Sequence, residues 1–381
     1  MKTVKLLLAL LVLSLFFFSI SAFAFPTLIT IKTPITLKPA TMAIRWNAIG
    51  NGFPGSNVAV GLMTRDSNNN IYTAVNLNKS SSRAYTVFKW NGNTWEALAG
   101  TVNGPLSGLT ANSQNALFAC AGGNAAYPGS VYKWTGSGWA ALGSSPLVSV
   151  QGMAFDPSGT LYAYGYLRVN GMDMKIAKWD GTAWQPFPKQ PNGMLYELVI
   201  DPLNNIYICG VGGDFSTNQG FVTDNGGVVL KWNGSTNSWE KIGAGNENFS
   251  YLSNLQLDRS GDLYSIATIY DSAAFYSLYL YKYDRSANQW NKLGGKIPIS
   301  CDLLSISPLG TIYIIGNLNS QTAAVKLVGN SWQLFNEALL GQAWGSATDA
   351  NDNLYASGDF IKTSKGTTVN RVARWGMGLG Y

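Results

Sequence analysis

Short apolar runs alternate with polar punctuation along residues 44–375, and two phrases keep recurring in that pattern. The first is a run of apolar and β-branched residues around one aromatic, set behind a turn. Its aromatic falls at Tyr72, Phe118, Tyr162, Tyr207, Tyr264, Tyr313 and Tyr355, with gaps of 46, 44, 45, 57, 49 and 42 residues. The second phrase is a hairpin of the type Lys89-Trp90-Asn91-Gly92-Asn93-Thr94-Trp95. Its leading position recurs at 90, 134, 179, 232, 283, 327 and 375, with gaps of 44, 45, 53, 51, 44 and 48. No helical heptads are present. Short alternating, aromatic-rich runs read as strands.

The third repeat illustrates the unit. It predicts strands over Ser149–Phe155, Thr160–Gly165, Lys175–Trp179 and Ala183–Phe187, with turns at Asp156-Pro157-Ser158-Gly159 and Asp180-Gly181. Asn-Gly and Asp-Gly tolerate positive φ and so favour tight hairpins. A repeat of this period cannot bury its apolar face alone and must stack on its neighbours. Four-stranded units arranged radially make a β-propeller. The fold class expected is therefore all-β: a seven-bladed propeller of four-stranded antiparallel blades. The chain ends on a third strand, Arg371-Val372-Ala373-Arg374-Trp375, with no fourth. Ile44-Arg45-Trp46-Asn47-Ala48-Ile49-Gly50 matches a fourth strand with nothing before it. The N-terminal strand should complete the last blade, a three-plus-one closure that pairs otherwise exposed edges.

The domain reading is a signal peptide over 1–24, an extended segment over 25–43 and one propeller over 44–381. Lys2 and Lys5 precede an apolar run, Leu6–Ile20, and Ala22-Phe23-Ala24 offers a cleavage site. The run is short for a transmembrane helix. Secretion or periplasmic residence is expected, with no transmembrane segment in the mature chain. Loss of Lys2 and Lys5 lowers the formal charge from +6 to +4. The remaining basic residues are scattered by the repeat, which argues against a nucleic-acid partner. Cys120, Cys209 and Cys301 are expected as buried, reduced thiols, because non-adjacent blades hold Cys120 and Cys209 apart. A monomer is expected.

The chain has no histidine. That excludes Ser-His-Asp and Cys-His catalysis and His-ligated metal sites. No metal or other cofactor is implied. Carboxylates and tyrosines remain. Glu197 and Asp302 fall on inner strands at the channel and are the weak catalytic candidates, since a carboxylate pair could work on a sugar. Asp66, Asp156, Asp201, Asp258 and Asp349 precede the marker aromatic by six residues, with Asn112 and Ser307 in the other slots. All seven suit turns whose side chain caps its own backbone. A basic residue precedes each leading hairpin position (Lys89, Lys133, Lys178, Lys231, Lys282, Lys326, Arg374). Antiparallel order puts it at the same end of the blade as the turn aspartates, so Lys–Asp pairs are expected. The repeated tryptophans are read as packing between blades.

The connections between strands two and three, and between blades, share one face and vary in length. Variable loops on a rigid scaffold carry binding, and aromatic and arginine residues anchor interfaces. The candidate binding residues on this long-loop face are Tyr127, Tyr166, Arg168, Asp214, Phe215, Phe221, Tyr270, Phe275 and Phe360. They come from the loops Gly122–Gly129, Gly165–Asp173, Val211–Gly226, Ile269–Tyr276 and Asp359–Thr368.

Tyr281-Lys282-Tyr283-Asp284 followed by Trp290-Asn291-Lys292-Leu293, with Ile206-Tyr207-Ile208-Cys209-Gly210 and glycine pairs at 122–123 and 212–213, resembles kelch repeats. The segment Asn353 to Trp375 is similar to repeats of bacterial surface and secreted propellers, and the Trp-x-x-Leu-Gly ending to tectonin-type lectin repeats. The resemblance spans roughly 44–375 and implies a propeller that binds protein or glycan. The glycine pair stands in two blades. Galactose oxidase has a similar scaffold, but its copper site requires histidines that this chain lacks. Three functions follow as expectations: a secreted non-catalytic binding protein, a carbohydrate-active enzyme (lyase, mutarotase or glycosidase) at the channel mouth, or an envelope assembly scaffold.

Overall fold

A computed structural model describes residues 44–377 apart from 82, 123–128, 144–146, 212–227, 244–248, 250 and 272–274. Seven antiparallel sheets are built on four strands each, and no helix occurs among the described residues. In blade three the strands are Ser149–Phe155, Leu161–Val169, Met172–Trp179 and Trp184–Pro186, in that spatial order. The second strands are the apolar runs of the sequence, and they are buried along their whole length in blades one, two and seven. Such a strand has a neighbouring blade on each face, so neither face can be polar. First strands lie nearer the axis and mix apolar with polar residues.

The ring closes as three plus one. Ile44–Ala48 pairs with Val372–Met377 in the register Ile44↔Met377 to Ala48↔Ala373, which sets Trp46 opposite Trp375. Seven buried apolar clusters occupy the seven blade interfaces. One joins Ile71 and Val75 of blade one to Ala347 and Tyr355 of blade seven.

The tryptophan pairs pack with centroids 5.2–5.5 Å apart in blades one to four and seven. The second member of the pair also reaches backwards. Indole Nε1 of Trp95, Trp184, Trp239 and Trp332 donates to the carbonyls of Ile49, Leu142, Lys189 and Gly295 of the preceding blade, at 2.8–3.2 Å. These residues therefore clasp one sheet to the next.

The seven turn residues cap as expected. The Oδ1 atoms of Asp66, Asp156, Asp201, Asp258 and Asp349 each accept the amide four residues on at 2.8–2.9 Å. Asn112 and Ser307 accept the equivalent amides at 2.9 and 3.1 Å.

The expected Lys–Asp pairs are replaced by another arrangement. Each lysine stands directly across the sheet from the marker aromatic, as in Tyr72↔Lys89 and Tyr207↔Lys231. Its ammonium lies 5.4–6.0 Å from that ring in blades one to six. The tyrosine hydroxyl in turn donates to the turn aspartate, at 3.0 Å for Tyr72, Tyr264 and Tyr355 and 3.2 Å for Tyr207. In blades one, four and five the aromatic thus sits between the two charges. The lysine ion pairs among the described residues are Lys282–Asp262 and Lys326–Asp352, neither with a turn-capping aspartate.

Strands two and three of blades three and five run further than their sequences suggest. Leu161–Val169 and Met172–Trp179 meet in a two-residue turn at Asn170 and Gly171, with φ of 51° and 79°. Both positive values fit the hairpin-favouring primed turn. In blade five, Leu263–Asp271 pairs with Phe275–Asp284 through Asp271↔Phe275. Two expected loops are therefore projecting hairpins.

Candidate binding groove on the long-loop face

The blade-three hairpin stands over the long-loop face because its second and third strands outrun the fourth. Tyr166 and Lys175 come from its two strands, and the Lys175 ammonium lies 4.7 Å from the Tyr166 ring centre. Further out, Arg168 pairs with Asp173 across the hairpin. Its Nε and Nη2 both donate to Asp173 Oδ1, at 2.8 and 2.7 Å. Both side chains are largely in water, so this pair adds little stability.

Beneath the hairpin runs the linker to blade four. Gln190 Oε1 accepts the amides of Lys175 and Ile176 at 2.8 and 2.9 Å. Its Nε2 donates to the carbonyls of Ile176 and Phe187, both at 2.9 Å. The side chain thus extends the sheet where the fourth strand has stopped. Hairpin and linker enclose a groove of about 450 Å³, lined chiefly by Tyr166, Leu167, Met174, Lys175, Pro191 and Val148.

Val148 is 43% exposed and has φ of 70°. A β-branched residue in the left-handed region is a genuine outlier. The Gly129 amide holds it by donating to its carbonyl at 2.8 Å. A Cβ at position 129 would come within 2.7 Å of that carbonyl oxygen, so glycine is required there.

Of the candidate residues, Tyr166 and Arg168 are thus brought to one groove. Phe360 is corrected. It is 0% exposed and packs with Trp46, Leu339 and Leu354. Its loop pairs back onto the blade-six linker through Leu339↔Thr363, which turns the aromatic at its base inward. Tyr270 and Phe275 lie on the blade-five hairpin by their backbones, and their side chains lie outside the described set. Tyr127, Asp214, Phe215 and Phe221 lie outside the described residues.

The two channel carboxylates are occupied. Glu197 is half-buried, and Oε2 accepts the Leu255 amide of the next blade, with the Cys209 thiol 3.7 Å away. Burial pushes this carboxyl up to about 7 even though the Leu255 N–H favours its charged form. Asp302 is exposed and accepts Asn317 Nδ2 at 2.8 Å. Cys120, Cys209 and Cys301 are free thiols. Cys301 is half-buried rather than buried. Burial raises all three, Cys120 and Cys301 to about 12, so none is primed as a nucleophile.

Sequence reasoning missed Val148, Lys175 and Gln190. Nothing in the sequence marks the strained valine or the bonding of Gln190. Trp344 was also missed, although it left a signal. Of thirteen tryptophans it is the one outside the hairpin slots. It sits on the first strand of blade seven at a register shift between Ala343 and Gly345, and is 48% exposed. Such bulges re-aim a side chain.

No known protein family matches the sequence, and no curated protein does. Solved structures do share the fold. The extracellular domain of a protein assigned as the one-component system BT4673 of B. thetaiotaomicron aligns with a TM-score of 0.53 at 13% identity, over 87% of this chain. This chain spans 40% of that one. Kuenenia stuttgartiensis hydrazine synthase aligns with a TM-score of 0.54 at 10% identity, covering 82% of this chain and 95% of the other. U3-55K aligns with a TM-score of 0.54 at 11% identity, covering 87% and 98%. At these identities the shared property is the architecture, a β-propeller, which hosts many functions.

Proposed function

We propose that this chain is an exported β-propeller that binds a protein or glycan partner through its long-loop face. One observation carries the reading. Among the described residues, fifteen large apolar side chains stand exposed. By strand direction nine fall on the long-loop face and five on the turn face, one being lateral. Val148, Tyr166, Met172, Met194, Tyr276 and Trp344 are on the former, and they include the aromatics of the set. Exposed aromatic side chains held on a rigid scaffold are the usual anchors of interfaces. The apolar leader over residues 6–20 supports export, and no helix among the described residues is long and apolar enough to cross a membrane.

The competing reading is a carbohydrate-active enzyme at the channel. The raised carboxyl of Glu197 favours it, since acid–base catalysts are tuned towards neutrality. The bond from Leu255 speaks against it by holding that carboxylate across a blade interface.

The test is a ligand panel of glycans and exported proteins read against two variant pairs. Tyr166→Ala with Trp344→Ala should weaken the binding that the parent shows by at least about tenfold, or about 1.4 kcal/mol. Leu203→Ala with Leu309→Ala, on the turn face, should leave it unchanged. The opposite result would remove the long-loop face from the proposal.

A further inference from the structure

Resting on that reading, we propose that the blade-three groove is a docking subsite for an extended polypeptide segment that presents an apolar side chain beside a carboxylate. The inner wall of the groove is apolar, and its one half-buried amide side chain is already committed. A glutamine side chain offers one carbonyl oxygen with two lone pairs and two N–H donors. Gln190 spends all four on the blade's own backbone. What remains is apolar lining from Val148, Tyr166, Leu167, Met174 and Pro191, with Lys175, Arg168, Asp173 and the exposed Asn192 as the other polar side chains around it.

Those cations are available. The Lys175 ammonium rests on the Tyr166 ring and has no carboxylate partner among the described residues. Arg168 commits Nε and Nη2 to a single oxygen of Asp173, which leaves Nη1 to donate elsewhere. Two positive groups against one negative, on a chain that keeps a formal charge of +4 without Lys2 and Lys5, complement an acidic segment. The acid would lie between Lys175 and Arg168 while the adjoining apolar side chain enters the groove below. An arginine edge and a rigid aromatic are the usual anchors of such contacts.

The floor is preorganised. Val148 holds a left-handed backbone conformation that costs energy, inside a turn closed by the Ser149 amide on the Leu147 carbonyl and tied to the Gly129 amide. Strain that the surroundings enforce, at an exposed residue lining a cavity, points to use of that residue by a ligand. A rigid wall also lowers the ordering cost of binding.

The experiment pans a random-peptide display library against the full mature chain. Enriched sequences are expected to share an aromatic or aliphatic residue next to Asp or Glu. A synthetic peptide of the winning sequence, read by fluorescence anisotropy, should bind Tyr166→Ala and Lys175→Glu at least about tenfold more weakly. Replacing its acid by lysine should restore binding to Lys175→Glu, which a merely unfolded variant could not show. Both positions are on the projecting hairpin, and thermal melts of the two variants should match the parent. No enrichment, or enriched peptides without an acid, would overturn the proposal. So would peptide binding that ignores both substitutions. A glycan array run in parallel separates the two levels. Glycan binding lost in Tyr166→Ala, with no peptide binding, sinks the peptide and keeps the face. Binding lost only in Leu203→Ala with Leu309→Ala sinks both.

Discussion

Trp46 is held twice by Glu337: its amide donates to Glu337 Oε2 at 3.1 Å and its indole to the Glu337 carbonyl at 3.0 Å. Trp46 belongs to the closing strand and Glu337 follows the last strand of blade six, so the seam of the ring is tied to the blade before it. Trp46 is 1% exposed and Glu337 2%. Trp46→Ala should cost about 3–5 kcal/mol. The check is the urea midpoint, together with light scattering to detect association through the unpaired edge of Val372–Met377. An unaltered midpoint would mean that the seam contributes nothing.

Arg285 makes a second inter-blade tie. Its Nη2 lies 2.9 Å from Oδ2 of Asp201, a fully buried carboxylate, and it also reaches the carbonyl of Gly261. Arg285→Ala should destabilise by about 2 kcal/mol, because a buried charged acceptor loses its cation. Arg168→Ala removes a shorter pair, 2.7 Å, in open water and should cost at most about 1 kcal/mol. Denaturant titration of the two variants side by side decides whether the order holds.

Glu197 sets a pH dependence. Its folded value of about 7 lies above the ordinary 4.5, so the folded state holds this proton more tightly than the unfolded chain. The contribution is fully present below 4.5 and is lost as pH rises to about 7. Glu197→Gln removes the titration. The stability of the variant relative to the parent should therefore climb between pH 4.5 and 7 and level off above. Chemical denaturation at stepped pH measures it, and a flat difference would show that Glu197 is not perturbed.

Two glycines should behave oppositely. A Cβ on Gly152 would overlap the Tyr164 hydroxyl, whereas one on Gly295 meets nothing within 4 Å. Gly152→Ala should destabilise by about 1–3 kcal/mol through overpacking. Gly295→Ala should be neutral or gain a few tenths, since it restricts the unfolded chain. Thermal melts distinguish them, and equal shifts would contradict the packing around Tyr164.

The ring was readable because its signals are local and repeated. Self-capping turns, paired tryptophans and a split last blade each carry their own geometry. The blade-three hairpin left a signal too, the Asn170-Gly171 pair, which is the same turn chemistry that marks the outer hairpins. The lysine–tyrosine–aspartate stack was hidden for a different reason. Sequence places Lys231 and Asp201 at one end of a blade, but only the register Tyr207↔Lys231 inserts a ring between them. Phe360 looked like a loop aromatic until the pairing of its loop with Leu339 made it interior. Val148 could not be foreseen at all, because the bonds around it, from the Gly129 amide to its carbonyl and from the Ser149 amide to the Leu147 carbonyl, leave no mark in the sequence.

The pairing of Ile44 with Met377 sets both ends of the ring-forming chain at the rim of the turn face. A tether attached at either end would suspend the disc with its hairpins and groove pointing away from the support. Joined to a support directly at Met377, the ring would offer its aromatic side to whatever flows past.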